Sequence, residues 1–220
     1  MKEFSHDEQV RFWTAHTESF KGDSVSRVIL CLARKALGRR ALDIGAGSGA
    51  LMRQYRRLRP DVEIAGIDLA PKGAEVEQGD CTSLRFAEAS LDTVTCTDVI
   101  EHLSDADLAR CLAEVRRVLA TGGHAIFSTI NEERLEDSVS TCPECGCRFH
   151  HWGHCQVFTE ARLRGLLAQY GLDVVRVVKT HLGLRASHPR LAGLFFALRL
   201  ERVLKVASLT RDIVVVARAR

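Results

Sequence analysis

The stretch 42–51, LDIGAGSGAL, limits the choice of fold more than any other part of the chain. An apolar run enters it, glycines 45, 47 and 49 interrupt it, and a helical pattern leaves it from Ala50. Glycine is needed where backbone turns tightly and comes close to a ligand. A strand feeding a glycine turn that opens a helix is the unit of a parallel sheet, because parallel strands need a crossover, usually helical.

The rest of the sequence repeats that unit. Short apolar runs predict strands at 41–45, 62–70, 74–80, 91–100, 124–130, 172–178 and 212–219. Helical spacing predicts helices at 50–58, 104–123 and 159–170, after a helical segment over 6–37 that Gly38 stops. The 104–123 helix is well marked. Ser104 and Asp107 make a capping-box pattern, Leu108, Cys111, Leu112, Val115 and Leu119 form one stripe, and Gly122 ends it. Strands alternating with helices predict a parallel α/β sheet covered on both faces. At 220 residues the chain reads as one domain, 1–220, with N-terminal helices over 1–38 and two departures from the rhythm, at 139–158 and 181–210.

The net charge of +3 is spread along the chain, and no basic stripe with interleaved aromatics marks a nucleic-acid partner. The polar start, MKEFSHDEQVRFW, lacks the apolar core of a signal peptide, and no run reaches bilayer length, so the expectation is a cytoplasmic chain. In a reducing compartment clustered cysteines point to metal, not disulfides. Cys31, Cys81, Cys96 and Cys111 sit among apolar neighbours and are expected in the core. The apolar stretch 189–207, with Arg199, Arg202 and Lys205 on one stripe, is expected to pack on the body or on a twin subunit in a homodimer.

Two ligand classes fit the glycine turn. Gly45, Gly47 and Ala50 satisfy the looser dinucleotide fingerprint, which would suit an NAD-dependent oxidoreductase. Asp43, two residues before the first glycine, favours the other class: a carboxylate there repels a pyrophosphate and attracts a ligand bearing an ammonium and a sulfonium. Asp68, ending the second strand, is placed to accept hydrogen bonds from ribose hydroxyls.

The chain resembles the class I S-adenosylmethionine-dependent methyltransferases. LDIGAGSG, GIDLA, QGDCTSLRF, DVIEHL and EVRRVLATGGHAIFS carry the resemblance in that order, and DVIEHL is similar to the quinone-biosynthesis O-methyltransferases. The resemblance implies a Rossmann-like, doubly wound, mostly parallel seven-stranded sheet with an antiparallel last strand. It implies S-adenosylmethionine as cofactor and a small-molecule acceptor. Carried over by position, it puts Asp43 near the methionine end, with Gly45, Ala46, Gly47 and Gly49 passing beneath. Asp68 with Leu69 takes the ribose, Asp80 and Cys81 flank the adenine, and Thr97 lines the methyl-donor pocket. The segment between Asp68 and the third strand is short, so the usual helix there is expected to be reduced or missing.

Methyl transfer needs positioning and exclusion of water first, and a general base only for a protonated nucleophile. Glu101 and His102 follow the fourth strand at the ligand-binding edge, as candidates for base and substrate contact or as braces of the loop. His102 is expected to titrate near neutrality. Phe12, Trp13 and His16 are expected to help form the acceptor end.

TCPECGCRFHHWGHC, 141–155, holds four of the eight cysteines. Cys142 and Cys145 have Cys-x2-Cys spacing with glycine next, and His150 and His154 follow at H-x3-H, a structural Cys2His2 zinc set. Cys147, His151 and Cys155 are spare, leaving the third and fourth ligands open. Bacterial methyltransferases that the chain resembles carry a similar insertion, which favours Cys142, Cys145 and His154. The metal would replace the core that so short an insertion cannot build. The rival reading is a catalytically weak cofactor-binding scaffold carrying a zinc interaction module.

Overall fold

The computed structural model describes residues 2, 4–15, 22–188 and 210–220. Three layers form around one sheet. Its strands are β1 (Arg40–Ile44), β2 (Glu63–Asp68), β3 (Glu77–Gln78), β4 (Leu91–Thr97), β5 (Leu119–Ile130), β8 (Leu172–Thr180) and β9 (Asp212–Ala219). The spatial order is β3-β2-β1-β4-β5-β9-β8. β9 pairs antiparallel with both β5 and β8, and the other neighbours pair in parallel, so β9 alone runs against the rest. A hairpin of β6 (Val139–Thr141) and β7 (Arg148–His150) stands apart as a second sheet.

The apolar stripes of the helices account for the layers. α4 (Asp105–Val118) and α5 (Glu160–Gln169) bury Leu108, Cys111, Leu112, Val115, Leu163 and Leu167 on one face of the sheet. On the other face α2 (Asp23–Leu32), α3 (Ala50–Leu58) and α6 (Leu182–Ser187) bury Ile29, Leu30, Leu51, Tyr55 and Leu182. β9 is buried at every position except Arg218, as befits a strand with neighbours on both edges and helices on both faces.

The differences from expectation have local causes. The helical segment over 6–37 divides into α1 (His6–Ala15), α2 and a single 3-10 turn (Arg34–Ala36), with His16 outside the described residues. α4 stops at Val118, and 119–123, expected as its last turn, joins β5. Leu119 pairs with Leu91 and is fully buried, while Gly122, at φ 81°, supplies the bend. Ser104 does cap α4, accepting from the Asp107 N–H at 3.2 Å. The third strand shrinks to two residues, and no helix separates it from β2, in line with the short segment there. Cys81, Cys96 and Cys111 are buried as expected, but Cys31 is exposed on α2, on the side turned from the sheet. The 189–207 stretch and its dimer expectation lie outside the described residues. Among the described residues no helix is long and apolar enough to cross a membrane.

Candidate active site

The carboxyl ends of β1, β2 and β4 open into a cavity of about 490 Å³, a size suited to a small-molecule ligand. One end is the glycine turn. Glycines 45, 47 and 49 all have positive φ, at 72°, 52° and 75°. The turn has no room for a side chain at its first position, where a Cβ would lie 2.3 Å from Val99 Cγ2. Asp68 crosses to the turn from β2. Its Oδ2 accepts from the Gly47 N–H at 2.8 Å, and its Oδ1 accepts from the Ala70 N–H at 2.8 Å. The carboxylate is thus fixed in orientation at the cavity wall before any ligand arrives.

Asp43 is 1% exposed and accepts from Thr95 Oγ1 at 2.7 Å. Burial pushes its pKa up to about 7, against the pull of the Thr95 hydrogen bond and with a smaller push from the Asp68 charge. A carboxyl so placed gains a charge when a cation comes beside it. Ala46, Leu69, Cys81 and Thr97 also line this end. Asp80 does not: it sits between the lining residues Gly79 and Cys81, and its Oδ1 accepts from the Thr82 N–H at 2.8 Å.

The other end is made by elements remote in sequence. Trp13 comes from α1, Glu101 and His102 from the 3-10 turn after β4, Trp152 and His154 from the 139–158 insertion, and His181 from the start of α6. Rings meet across these elements: Trp13 and His102 at 4.8 Å between centroids, His102 and His154 at 4.7 Å. Gln9 ties α1 down by donating from Nε2 to the His102 carbonyl at 3.1 Å. The insertion is tied to the same turn. The N–H groups of Cys155 and Gln156 both donate to the Glu101 carbonyl, at 2.8 and 3.1 Å, and Gln156 Nε2 donates to the Leu103 carbonyl at 3.0 Å. Burial, then the His154 ring, pushes the His102 pKa down to about 3. His102 therefore does not titrate near neutrality as expected; it is a neutral ring, and a weak base.

The expected Cys2His2 set divides in two. Cys142, Cys145 and Cys147 bring their sulfurs within 4.8 Å of one another at the hairpin turn. His150 and His154 instead gather with Glu133, and His154 also with Glu101 and His102. The reason is the hairpin itself. Cys142 donates its N–H to the Cys147 carbonyl, closing a tight turn at the exposed tip, while His150, paired with Val139, lies at the base against the body. In the turn, Cys145 is more acidic than an ordinary thiol, through the Cys147 N–H first and the Cys147 and Cys142 thiols next. Three thiols fit a soft divalent metal; among the described residues no fourth ligand joins them. His151 is exposed and meets Ser140 Oγ at 2.9 Å, and Cys155 Sγ donates to the Leu103 carbonyl.

Sequence reasoning missed Glu133 and three residues that also line the cavity, Asp98, His181 and Arg211. Asp98 and His181 were within reach, since Asp98 belongs to DVIEHL and His181 opens an irregular segment. Glu133 carries no signal: it is one acid in the run NEERLED, and only folding brings it beside two histidines.

Residues 14–177 match the family model described as "Methyltransferase domain". A ubiquinone biosynthesis O-methyltransferase of Paracidovorax citrulli (strain AAC00-1) is 34% identical over 43% of this chain and 44% of its own length, so the chain spans under half of that relative. The fold is that of a SAM dependent methyltransferase from Archaeoglobus fulgidus, with TM-score 0.64 at 16% identity over 90% of this chain and 94% of the other. It is also that of the Burkholderia thailandensis 1,6-didemethyltoxoflavin-N1-methyltransferase, solved with 1,6-didemethyltoxoflavin and S-adenosylhomocysteine: TM-score 0.60 at 18% identity over 97% and 83% of the two chains.

Proposed function

Because the chain belongs to the methyltransferase-domain family, we propose that it transfers the methyl group of S-adenosylmethionine to an oxygen, nitrogen or carbon nucleophile of a small molecule. The observation that carries this is one cavity with two unlike ends: a glycine turn flanked by two carboxyls, and a wall of histidine and tryptophan rings. The sulfonium supplies the methyl group and the leaving group. The protein supplies position. Asp68, fixed by two backbone N–H groups, holds the ribose hydroxyls. Gly45, Ala46, Gly47, Gly49 and Leu69 let the ligand lie against the turn, while Asp43 faces its cationic end. Cys81 bounds the adenine side, and Asp80 stands beside it, outside the lining, with its Oδ2 3.6 Å from His6 Nδ1. Thr97 borders the donor methyl.

In-line displacement needs the nucleophile held at the far side with water kept out. Trp13, Trp152 and the rings of His102 and His154 make that wall. His102, neutral, accepts a hydrogen bond from the acceptor hydroxyl, whose proton passes to solvent as the S–CH3 bond breaks and the O–CH3 bond forms, and Glu101 beside it fixes the loop. An aromatic hydroxyl is the acceptor class that suits flat aromatic walls, and the name of the relative from Paracidovorax citrulli, a ubiquinone biosynthesis O-methyltransferase, agrees with it. Cys142, Cys145 and Cys147 hold a structural zinc that fixes the hairpin tip. Cys142→Ser should lose that metal by elemental analysis.

The deciding experiment is calorimetry with S-adenosylhomocysteine, followed by methyl-transfer assays over a panel of catechols and phenols. Tight binding with turnover on members of the panel is expected. Absence of S-adenosylhomocysteine binding to folded protein would refute the proposal.

A further inference from the structure

Glu133, His150 and His154 come from two separate parts of the chain. Glu133 lies three residues beyond β5; His150 ends β7, and His154 follows it within the insertion. All three are largely buried: the side chains of His150, His154 and Glu133 are 1%, 7% and 14% exposed. The two imidazoles stack at 4.5 Å between centroids and 19° between planes, and each presents one ring nitrogen to the Glu133 carboxylate.

The hydrogen bonding leaves one atom unexplained. His150 Nδ1 accepts the His154 backbone N–H at 3.2 Å; an ion requires the other tautomer, with the proton on Nδ1, so this long contact opens when the ring ligates through Nε2. That atom is buried and has no hydrogen-bond partner. Its nearest charge is Glu133 Oε1, 3.6 Å away, too far for a hydrogen bond. Two ligands of one tetrahedral zinc, each about 2.0–2.1 Å from it, stand roughly 3.3 Å apart. The gap between His150 and Glu133 is therefore ion-sized. The second gap, His154 Nδ1 to Glu133 Oε2, is a 2.6 Å proton-sharing contact that would open by several tenths of an ångström around an ion. Two imidazoles and a carboxylate are a complete donor set for such an ion, with one position left for water.

We propose that Glu133, His150 and His154 form a site for a divalent first-row transition ion, zinc foremost, that pins the insertion against the carboxyl end of the sheet. The site is separate from the three-cysteine turn, whose sulfurs form a group of their own. It does not depend on the acceptor chemistry. The ion sits behind the cavity wall, where His154 joins it to the group of Glu101 and His102. Metal binding at this place sets the position of the His154 and Trp152 wall, because both residues ride on the pinned segment.

The test uses the full chain, stripped by chelator and titrated with Zn²⁺ alone. Two equivalents are expected, one per site. The double variant Cys142→Ser/Cys145→Ser should keep one, and Glu133→Gln should lose one. With Co²⁺ the double cysteine variant should keep visible ligand-field absorption and lack a thiolate-to-cobalt band. Zn²⁺ should also slow hydrogen exchange over 139–158 in that variant. A double cysteine variant that is folded by circular dichroism yet binds neither Zn²⁺ nor Co²⁺ overturns the proposal, whether or not Glu133→Gln folds. Failure of the methyl-transfer reading would show differently, as lost S-adenosylhomocysteine binding with the metal count intact.

Discussion

Asp68 has two tasks that one carboxylate can perform together. It takes the N–H groups of Gly47 and Ala70 and still faces the cavity. Asp68→Ala should therefore weaken S-adenosylhomocysteine binding by roughly 10- to 100-fold, the loss of ~1.5–3 kcal/mol carried by a charged hydrogen bond. Calorimetry checks it. Asp43 makes a different prediction, through pH. Its folded pKa of about 7 lies above the ordinary carboxylate value, so the folded state holds the extra proton. The stability it contributes is whole at pH below about 4 and is lost as pH rises through 7. A cationic ligand favours the ionised form, so its affinity should rise with pH up to about 7, with proton release on binding. Calorimetry in buffers of different ionisation heat measures that release, and Asp43→Asn should abolish it. Asp43 and Asp68 were legible because each is marked by its distance from a glycine or a strand end. Glu133 was not, because its partners are set by the fold alone.

The turn between β1 and α3 is the element on which the cofactor end depends. Gly45→Ala adds a methyl that meets Val99 at 2.3 Å, at a φ of 72° that side chains rarely adopt. A loss of ~1–3 kcal/mol is expected, or several degrees in Tm for a chain of this size, readable by calorimetric melting. Local signals served well for this element and for α4, where cap, stripe and stop lie close together. They failed at the junction of α4 and β5, since Leu119 extends the helical stripe and only its pairing with Leu91 makes it strand. The insertion shows the same limit. Spacing found every histidine and cysteine that gathers there, but the hairpin sorts them by height, thiols to the tip and imidazoles to the base. Spacing along a chain carries no record of height.

The whole molecule joins its layers around a cavity that a ligand would fill, so ligand binding and global stability are coupled. S-adenosylhomocysteine at 100 times its Kd should stabilise the fold by about 2.7 kcal/mol and raise Tm by roughly 5–10 °C, as differential scanning fluorimetry would show. The antiparallel last strand was implied by the family resemblance, but the order of strands was not legible, since hydrophobic runs say which segments are strands and not which ones touch. That order has a consequence for the history of each molecule. β9 sits between β5 and β8, yet the chain must run on from Thr180 to Asp212 before it exists. Until then β5 and β8 lack the neighbour that satisfies their facing backbone N–H and C=O groups. A nascent chain on the ribosome thus passes through an interval in which those two edges are unpaired, the condition in which a strand edge is open to pairing with another extended segment.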